Sequence, residues 1–267
     1  MKKTLLFALV VIFFASCTQK EPTKTQIKQK PDNNKMIYAT LYVQFAAEYK
    51  ALAYQAYNIA KFRLSEAIKN NKTKKKLAVI LDIDETVLDN SPQFGKQIID
   101  TINYPKCWDE WVKTAQGEPI PGVASFLSFA DSLGVKIFYV SNRRIHLLDA
   151  TIKNLRAKNL PQVDSASILL RTKERTKEPR RQNIISQGYE IALLIGDNLG
   201  DFSELFDVKT CDERGDIVKN NNKLFGDKFI VLPNAVYGHW QGNLGLYKRG
   251  INQDSLARTL LKTFECK

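Results

Sequence analysis

The chain has 267 residues, of which 44% are hydrophobic, 25% charged and 10% aromatic. That balance supplies a packed core and excludes wholesale disorder, a collagen-like repeat and a disulfide miniprotein. Forty Lys+Arg against 28 Asp+Glu give a formal charge of +12, which favours anionic partners (phosphorylated small molecules, nucleic acid, anionic membrane surfaces) without choosing among them.

Taken in chain order, the first 17 residues read as an address rather than as part of a fold. Lys2 and Lys3 precede an apolar run from Leu5 to Ala15, shorter than the roughly 20 residues that span a bilayer. A basic start, an apolar run and small residues before Cys17 describe a secretory signal peptide. Phe14-Ala15-Ser16-Cys17 resembles a bacterial lipobox, with Phe14 where Leu is usual. The resemblance implies lipidation of Cys17; a plain membrane anchor with an incidental Cys is the other reading. Without Lys2 and Lys3 the charge is +10. Residues 18–35, rich in Thr, Gln, Lys, Pro and Asn with Ile27 as their large apolar residue, form a flexible tether. Residues 36–267 then make one domain.

Leu41, Phe45, Tyr49, Leu52, Ala56 and Ile59 recur at steps of three or four with no Pro or Gly between them, so 36–70 is expected to be one helix with this stripe facing the core. Leu77 to Leu81 is a continuous apolar run of the kind buried on both faces of a sheet. A helix is expected over 122–133, a strand over 135–140, a helix over 147–158 and a strand over 167–170. Another helix follows at 179–187, ended by Gly188. Strands over 191–195 and 229–232 and a helix over 255–264 complete the pattern. Strands alternating with helices imply an α/β fold, a parallel sheet with both faces covered. Cys107, Cys211 and Cys266 are odd in number and match no metal spacing, so at least one is a free thiol.

Ligands of such sheets sit beyond the carboxyl ends of the strands, and there polar residues gather. Asp82-Ile-Asp84-Glu-Thr86 follows the first strand, Ser141-Asn142-Arg143 the second, a loop with Lys173, Arg175 and Lys177 the third, and Gly196-Asp197-Asn198-Leu-Gly-Asp201 the fourth. Clustered carboxylates repel unless a cation joins them. An oxygen-rich site suits Mg²⁺, which takes few protein carboxylates and keeps room for phosphate oxygens. Ser141 and Asn142 can donate to phosphate, and Lys177 brings a compact positive charge. A calcium loop would need Gly where Val87 stands.

These four motifs resemble those of the haloacid dehalogenase (HAD) superfamily, in the D-x-D-x-T form of its phosphatases. The longer strings DIDETVLDNSP (82–92), VSNRR (140–144) and IGDNLGDF (195–202) resemble class C acid phosphatases of the lipoprotein e type. So do AAEYKALAYQAYNIAK (46–61) and PNAVYGHW (233–240), so that the similarity covers roughly residues 36–245. The resemblance implies a HAD-like Rossmannoid sheet and a Mg²⁺-dependent phosphomonoesterase, an acid phosphatase or 5′-nucleotidase. Asp82 would be the nucleophile and a metal ligand. Asp84 would be the general acid and then base, its carbonyl also on the metal. Asp197 would complete the ligand set, with Asp201 behind it or joined through water. Thr86, Ser141, Asn142 and Lys177 would hold the phosphoryl group, with Arg175 the alternative to Lys177, whose place rests on lying eleven residues before Gly188. Arg143 would lie near the phosphate or sugar, and Trp108 (or Trp111) and Tyr237 would stack on a nucleobase. It also implies a lipid-anchored outer-membrane protein and a homodimer.

Two other functions share much of this pattern. A non-catalytic lipoprotein that captures nucleotides or haem would not need Asp84, a further like charge, and His146 and His239 are the histidines available to a haem. A phosphotransferase would use every motif.

Overall fold

The computed structural model describes residues 34–72, 74–248 and 250–263. The signal peptide expected at 1–17 with Cys17, residues 18–33 of the tether, and Cys266 lie outside them.

From the start of the described chain, α1 (Ile37–Phe45) and α2 (Ala47–Lys69) lead into β1 (Lys76–Leu81). A small antiparallel ribbon, β2 (Leu88–Asp89) with β3 (Glu118–Pro119), encloses α3 (Ser91–Ile99) and α4 (Trp108–Thr114). Then α5 (Val123–Ser132), β4 (Lys136–Arg144), α6 (Leu148–Ala157), β5 (Ile168–Arg171), α7 (Glu178–Ser186) and β6 (Tyr189–Gly196) alternate. The described chain closes with α8 (Cys211–Asn220), β7 (Phe229–Val231), a short α9 (His239–Asn243) and α10 (Gln253–Leu260).

Five strands pair in the order β5-β4-β1-β6-β7, all parallel. The chain runs outward from β1 through β4 to β5, then returns past β1 to β6 and β7. The reversal falls beside β1, and such a point opens a crevice at the carboxyl ends of the strands. Pleating divides the core. Val79, Leu81, Ile137, Tyr139, Leu193 and Ile195 face a layer built from α2, α5 and α6, while Ala78, Ile80, Phe138, Val140 and Leu194 meet Ile184 of α7 and the aromatic cluster Phe202, Phe206 and Phe229. The continuous apolar run of β1 is therefore buried on both faces, as expected.

The expected helix over 36–70 is two helices. Ala46 is extended (φ −69°, ψ 130°), and the break turns α1 onto α3 while α2 packs on α5. Tyr42 and Tyr49 meet edge to face across it at 6.1 Å. No Pro or Gly marks the position; tertiary packing outweighs local propensity. The stripe is also corrected. Leu41, Phe45 and Leu52 are exposed, and the buried positions are Val43, Tyr49, Ala53, Ala56, Tyr57, Ala60 and Leu64. Three alanines in that row let α2 approach the sheet closely. The terminal helix is shorter than expected, Gln253–Leu260, whereas the strands and the other helices fall within a few residues of their expected places, and Gly188 ends α7 with φ 89°.

Candidate active site

The loop after β1 is a rigid turn with two kinds of side chain. Ile83, Val87 and Leu88 are fully buried, and the Val87 and Leu88 N–H groups both donate to Ile83 O at 2.9 and 2.8 Å. Asp82 N–H donates to Ile195 O of β6 at 2.9 Å. Glu85 takes a left-handed conformation with φ 59°, which closes the turn. Tyr57 of α2 fixes it from below, its hydroxyl donating to Thr86 O at 2.6 Å. Apolar alternates thus anchor the loop and leave Asp82, Asp84 and Thr86 at the crevice.

The β6 end brings the second group of acids. Asn234 Nδ2 and Thr86 Oγ1 donate to Asp197 at 2.8 and 3.1 Å. Asn198 N–H donates to Asp201 Oδ2 at 2.9 Å. Asp201 lies directly on Gly196: a Cβ there would stand 2.4 Å from its carboxylate oxygen. Lys177, at the start of α7, sets its Nζ 2.5 Å from Asp82 Oδ1 and 2.7 Å from Asp201 Oδ1. Burial alone would lower the Lys177 ammonium, but Asp201 and Asp82 outweigh it and hold it above its ordinary value.

Asp82, Asp197 and Asp201 offer carboxylate oxygens that all lie within 4.8 Å of one another. Burial, then Asp201, pushes Asp197 up to about 7 against the hydrogen bond from Asn234. Burial likewise raises Asp82 well above the carboxylate range against the pull of Lys177. Three close carboxylates share one ammonium, and the site remains short of positive charge. Hard oxygen donors in that state fit a divalent cation.

Asp84 belongs to a different set of contacts. Arg143 donates to its Oδ1 from Nε and Nη2 at 2.9 and 2.8 Å, Asn90 Nδ2 at 2.9 Å and Ser141 Oγ to its Oδ2 at 3.2 Å. Arg143 is buried, reaches Thr151 on α6 and lies over Trp108 at 5.7 Å. Asn142 is exposed, and its Oδ1 accepts from Arg180 Nη2 at 2.7 Å. Two aspartates two residues apart are thus held by different cations, Asp82 by Lys177 and Asp84 by Arg143.

A cavity of about 610 Å³ opens beside Asp84 and is lined by Asn142, Arg143, Phe94, Trp108 and Tyr237 among others. Tyr237 packs edge to face on Phe94 at 5.6 Å, and its hydroxyl donates to Glu85 Oε2. Burial, then Asp84 and Asp197, raises Glu85 well above the carboxylate range, against the hydrogen bonds from Tyr237 and Asn90. Trp111 is not among the cavity residues; its indole N–H donates to Asn90 Oδ1 at 2.8 Å. Arg175 is exposed, which leaves Lys177 as the cation at the acids. His146 and His239 lie beside Asp109 and Asp207.

Glu85, Asn90, Asn234 and Arg180 were not expected at the site. Glu85 stands inside the D-x-D-x-T string and Asn234 inside PNAVYGHW, so their neighbours carried a signal. Arg180 sits in a basic run that reads as a solvated face.

Residues 11–240 match the sequence model of the HAD superfamily, subfamily IIIB (acid phosphatase). Among solved structures, the class C acid phosphatase from Bacillus anthracis is 41% identical, with a TM-score of 0.82 over 87% of this chain and 99% of that one. A crystal structure of class C acid phosphatase from the same organism with tungstate bound gives 40% identity and a TM-score of 0.81 over the same shares. The 31 kDa stem glycoprotein of Glycine max is 27% identical over 164 residues, 59% of this chain. The chain spans 54–62% of the length of the curated relatives it matches. By the family model's span, the chain belongs to the HAD superfamily, subfamily IIIB, the acid phosphatases.

Proposed function

We propose that this protein is a Mg²⁺-dependent phosphomonoesterase, an acid phosphatase with 5′-nucleotidase activity, acting through an aspartyl phosphate on Asp82. The observation that carries the reading is the convergence of Asp82, Asp197 and Asp201 with Lys177 at one crevice. Tungstate, bound in the Bacillus anthracis structure, is a tetrahedral oxyanion like phosphate, which supports a phosphoryl site.

Asp82, Asp197 and Asp201 would hold the cation, which screens the carboxylates from each other and from the incoming phosphate. Asp82 attacks phosphorus; its O–P bond forms as the ester P–O bond breaks. Asp84 gives its proton to the departing alkoxide, then takes one from water, and that water cleaves the aspartyl phosphate to release inorganic phosphate. Arg143 orients Asp84 for both transfers. Thr86, Ser141, Asn142 and Lys177 hold the phosphoryl oxygens in line, the main requirement of this chemistry. Trp108 and Tyr237 would flank a nucleobase in the cavity.

Asp82→Asn tests the reading. It should abolish hydrolysis of p-nitrophenyl phosphate while thermal unfolding stays cooperative; a variant with full activity would remove Asp82 as nucleophile. Added alcohol acceptors, followed by product analysis, separate hydrolysis from phosphotransfer. Tyr237→Ala should lower kcat/KM for nucleoside monophosphates more than for p-nitrophenyl phosphate, and equal losses would contradict base stacking.

The lipobox-like Phe14–Cys17 string supports lipidation at Cys17 and an outer-membrane location. Among the described residues no helix is long and apolar enough to cross a membrane. Cys17→Ser should move the protein to the soluble fraction, and sedimentation tests the homodimer.

A further inference from the structure

Arg144 and Arg171 are register partners on the parallel strands β4 and β5. Like charges side by side on a sheet repel, so the pair needs a counter-charge. Leu169, two residues before Arg171, packs in the core layer that includes Ile184 of α7, so alternation turns Arg171 toward α7. Arg171 is partly buried, and its Nε is shielded from solvent with no hydrogen-bond partner. Among the described residues neither arginine pairs with a carboxylate. Arg144 is exposed beside it.

The neighbouring cation and carboxylate are already committed. Arg180 donates to Ser141 O at 2.6 Å and Asn142 Oδ1 at 2.7 Å, and its Nε lies 3.0 Å from Glu174 Oε1. Glu174 also accepts from Thr172 Oγ1 at 2.6 Å and from Lys173 N–H at 3.0 Å. Burial works to raise its carboxyl, but these hydrogen bonds and Arg180 hold it down at about 2. The loop after β5 is therefore pinned from inside, with Lys173 and Arg175 exposed on it.

This cluster adjoins the site. Asn142 lines the 610 Å³ cavity and touches Arg180. Between Ser141 and Arg144 the register shifts, so that Ser141 stands beside Leu170 and Arg144 beside the next residue, Arg171. Along β5 the pair lies one residue step, about 3.3 Å, beyond the position facing Ser141, within reach of one sugar and an arginine side chain. We propose that Arg144 and Arg171, flanked by Lys173 and Arg175, form a subsite for a second phosphate carried by the leaving group. The favoured substrates are then bisphosphates of a nucleoside or sugar. The inference rests on the reading that Ser141 and Asn142 hold the reacting phosphoryl group.

Calorimetric binding to the full chain carrying Asp82→Asn, with Mg²⁺ present, tests it without turnover. Adenosine 3′,5′-bisphosphate should bind roughly tenfold tighter than adenosine 5′-monophosphate, the scale of one added charge-assisted contact. The advantage should shrink at high salt. It should disappear when Arg144→Ala and Arg171→Met are added, the Met keeping most of the side-chain stem. If Arg171→Met does not fold, the exposed Arg144→Ala alone should remove severalfold of the advantage. Equal affinities, or a preference that survives the substitutions, would overturn the subsite. Turnover of p-nitrophenyl phosphate by the chain with Asp82 intact is judged separately. Its absence contradicts the phosphatase reading alone, and Arg144→Ala should leave it within about twofold, since that substrate carries no second phosphate to meet the subsite.

Discussion

Asp82 and Asp84 share a loop and do not share a partner. Lys177 bridges Asp82 to Asp201, while Arg143 grips Asp84 through two nitrogens. This separation supports the two roles proposed for these like groups, nucleophile and proton carrier. Asp84→Asn should lower kcat by about 10²–10⁴-fold, the range for a lost general acid–base, while cation binding persists. Arg143→Met should lower kcat while leaving Mg²⁺ affinity in place, whereas a merely structural Arg143 would lower stability and leave the kcat of the folded protein unchanged. Gly196→Ala sets a methyl against Asp201 and should cost about 1–3 kcal/mol of stability, as overpacking does, and weaken cation affinity; unchanged affinity would mean that the acid loop tolerates displacement. The carriers of this chemistry were legible in the sequence because each sits in a string directly after a strand. Asn90 and Asn234 were not, since they act across the fold on Asp84 and Asp197 and an asparagine has no charge to draw notice. The upward shift of Glu85 likewise comes from burial among other acids.

At the scale of elements, the sheet was readable because β1 is apolar throughout and the helices that alternate with strands keep their period. What the sequence left unread is the insertion between β2 and β3, where α3 and α4 build the aromatic wall of the cavity, together with α8. Those helices are short and mark no long period, and the α1–α2 break carries no Pro or Gly. The link between α2 and the catalytic loop is one hydrogen bond, Tyr57 Oη to Thr86 O. Tyr57→Phe removes it and leaves a buried carbonyl unsatisfied. Urea unfolding should show a loss of about 1–3 kcal/mol, and the turnover number should fall with it; a neutral substitution would mean that the loop holds itself.

Across the whole molecule, buried acids tie stability to pH and to the cation. Asp197 rises from 3.8 to about 7 in the folded chain through burial and Asp201, so the folded state holds that proton more tightly than the unfolded one. The stabilisation is complete below the ordinary carboxylate range and is lost as pH climbs toward 7. With EDTA, Tm should therefore be higher at about pH 5 than at about pH 8. On the proposed reading, excess Mg²⁺ should bind the ionised carboxylates and stabilise by mass action, so its Tm increment should be larger at the higher pH. An increment that is independent of pH would place the cation away from these acids.

The most direct measurement is a calorimetric titration of Mg²⁺ into the EDTA-stripped chain, repeated with Asp197→Asn. The account predicts a single saturable event per chain that Asp197→Asn abolishes and that restores p-nitrophenyl phosphate hydrolysis in parallel. Full hydrolysis in the stripped chain, or Mg²⁺ binding that Asp197→Asn leaves unchanged, would contradict it.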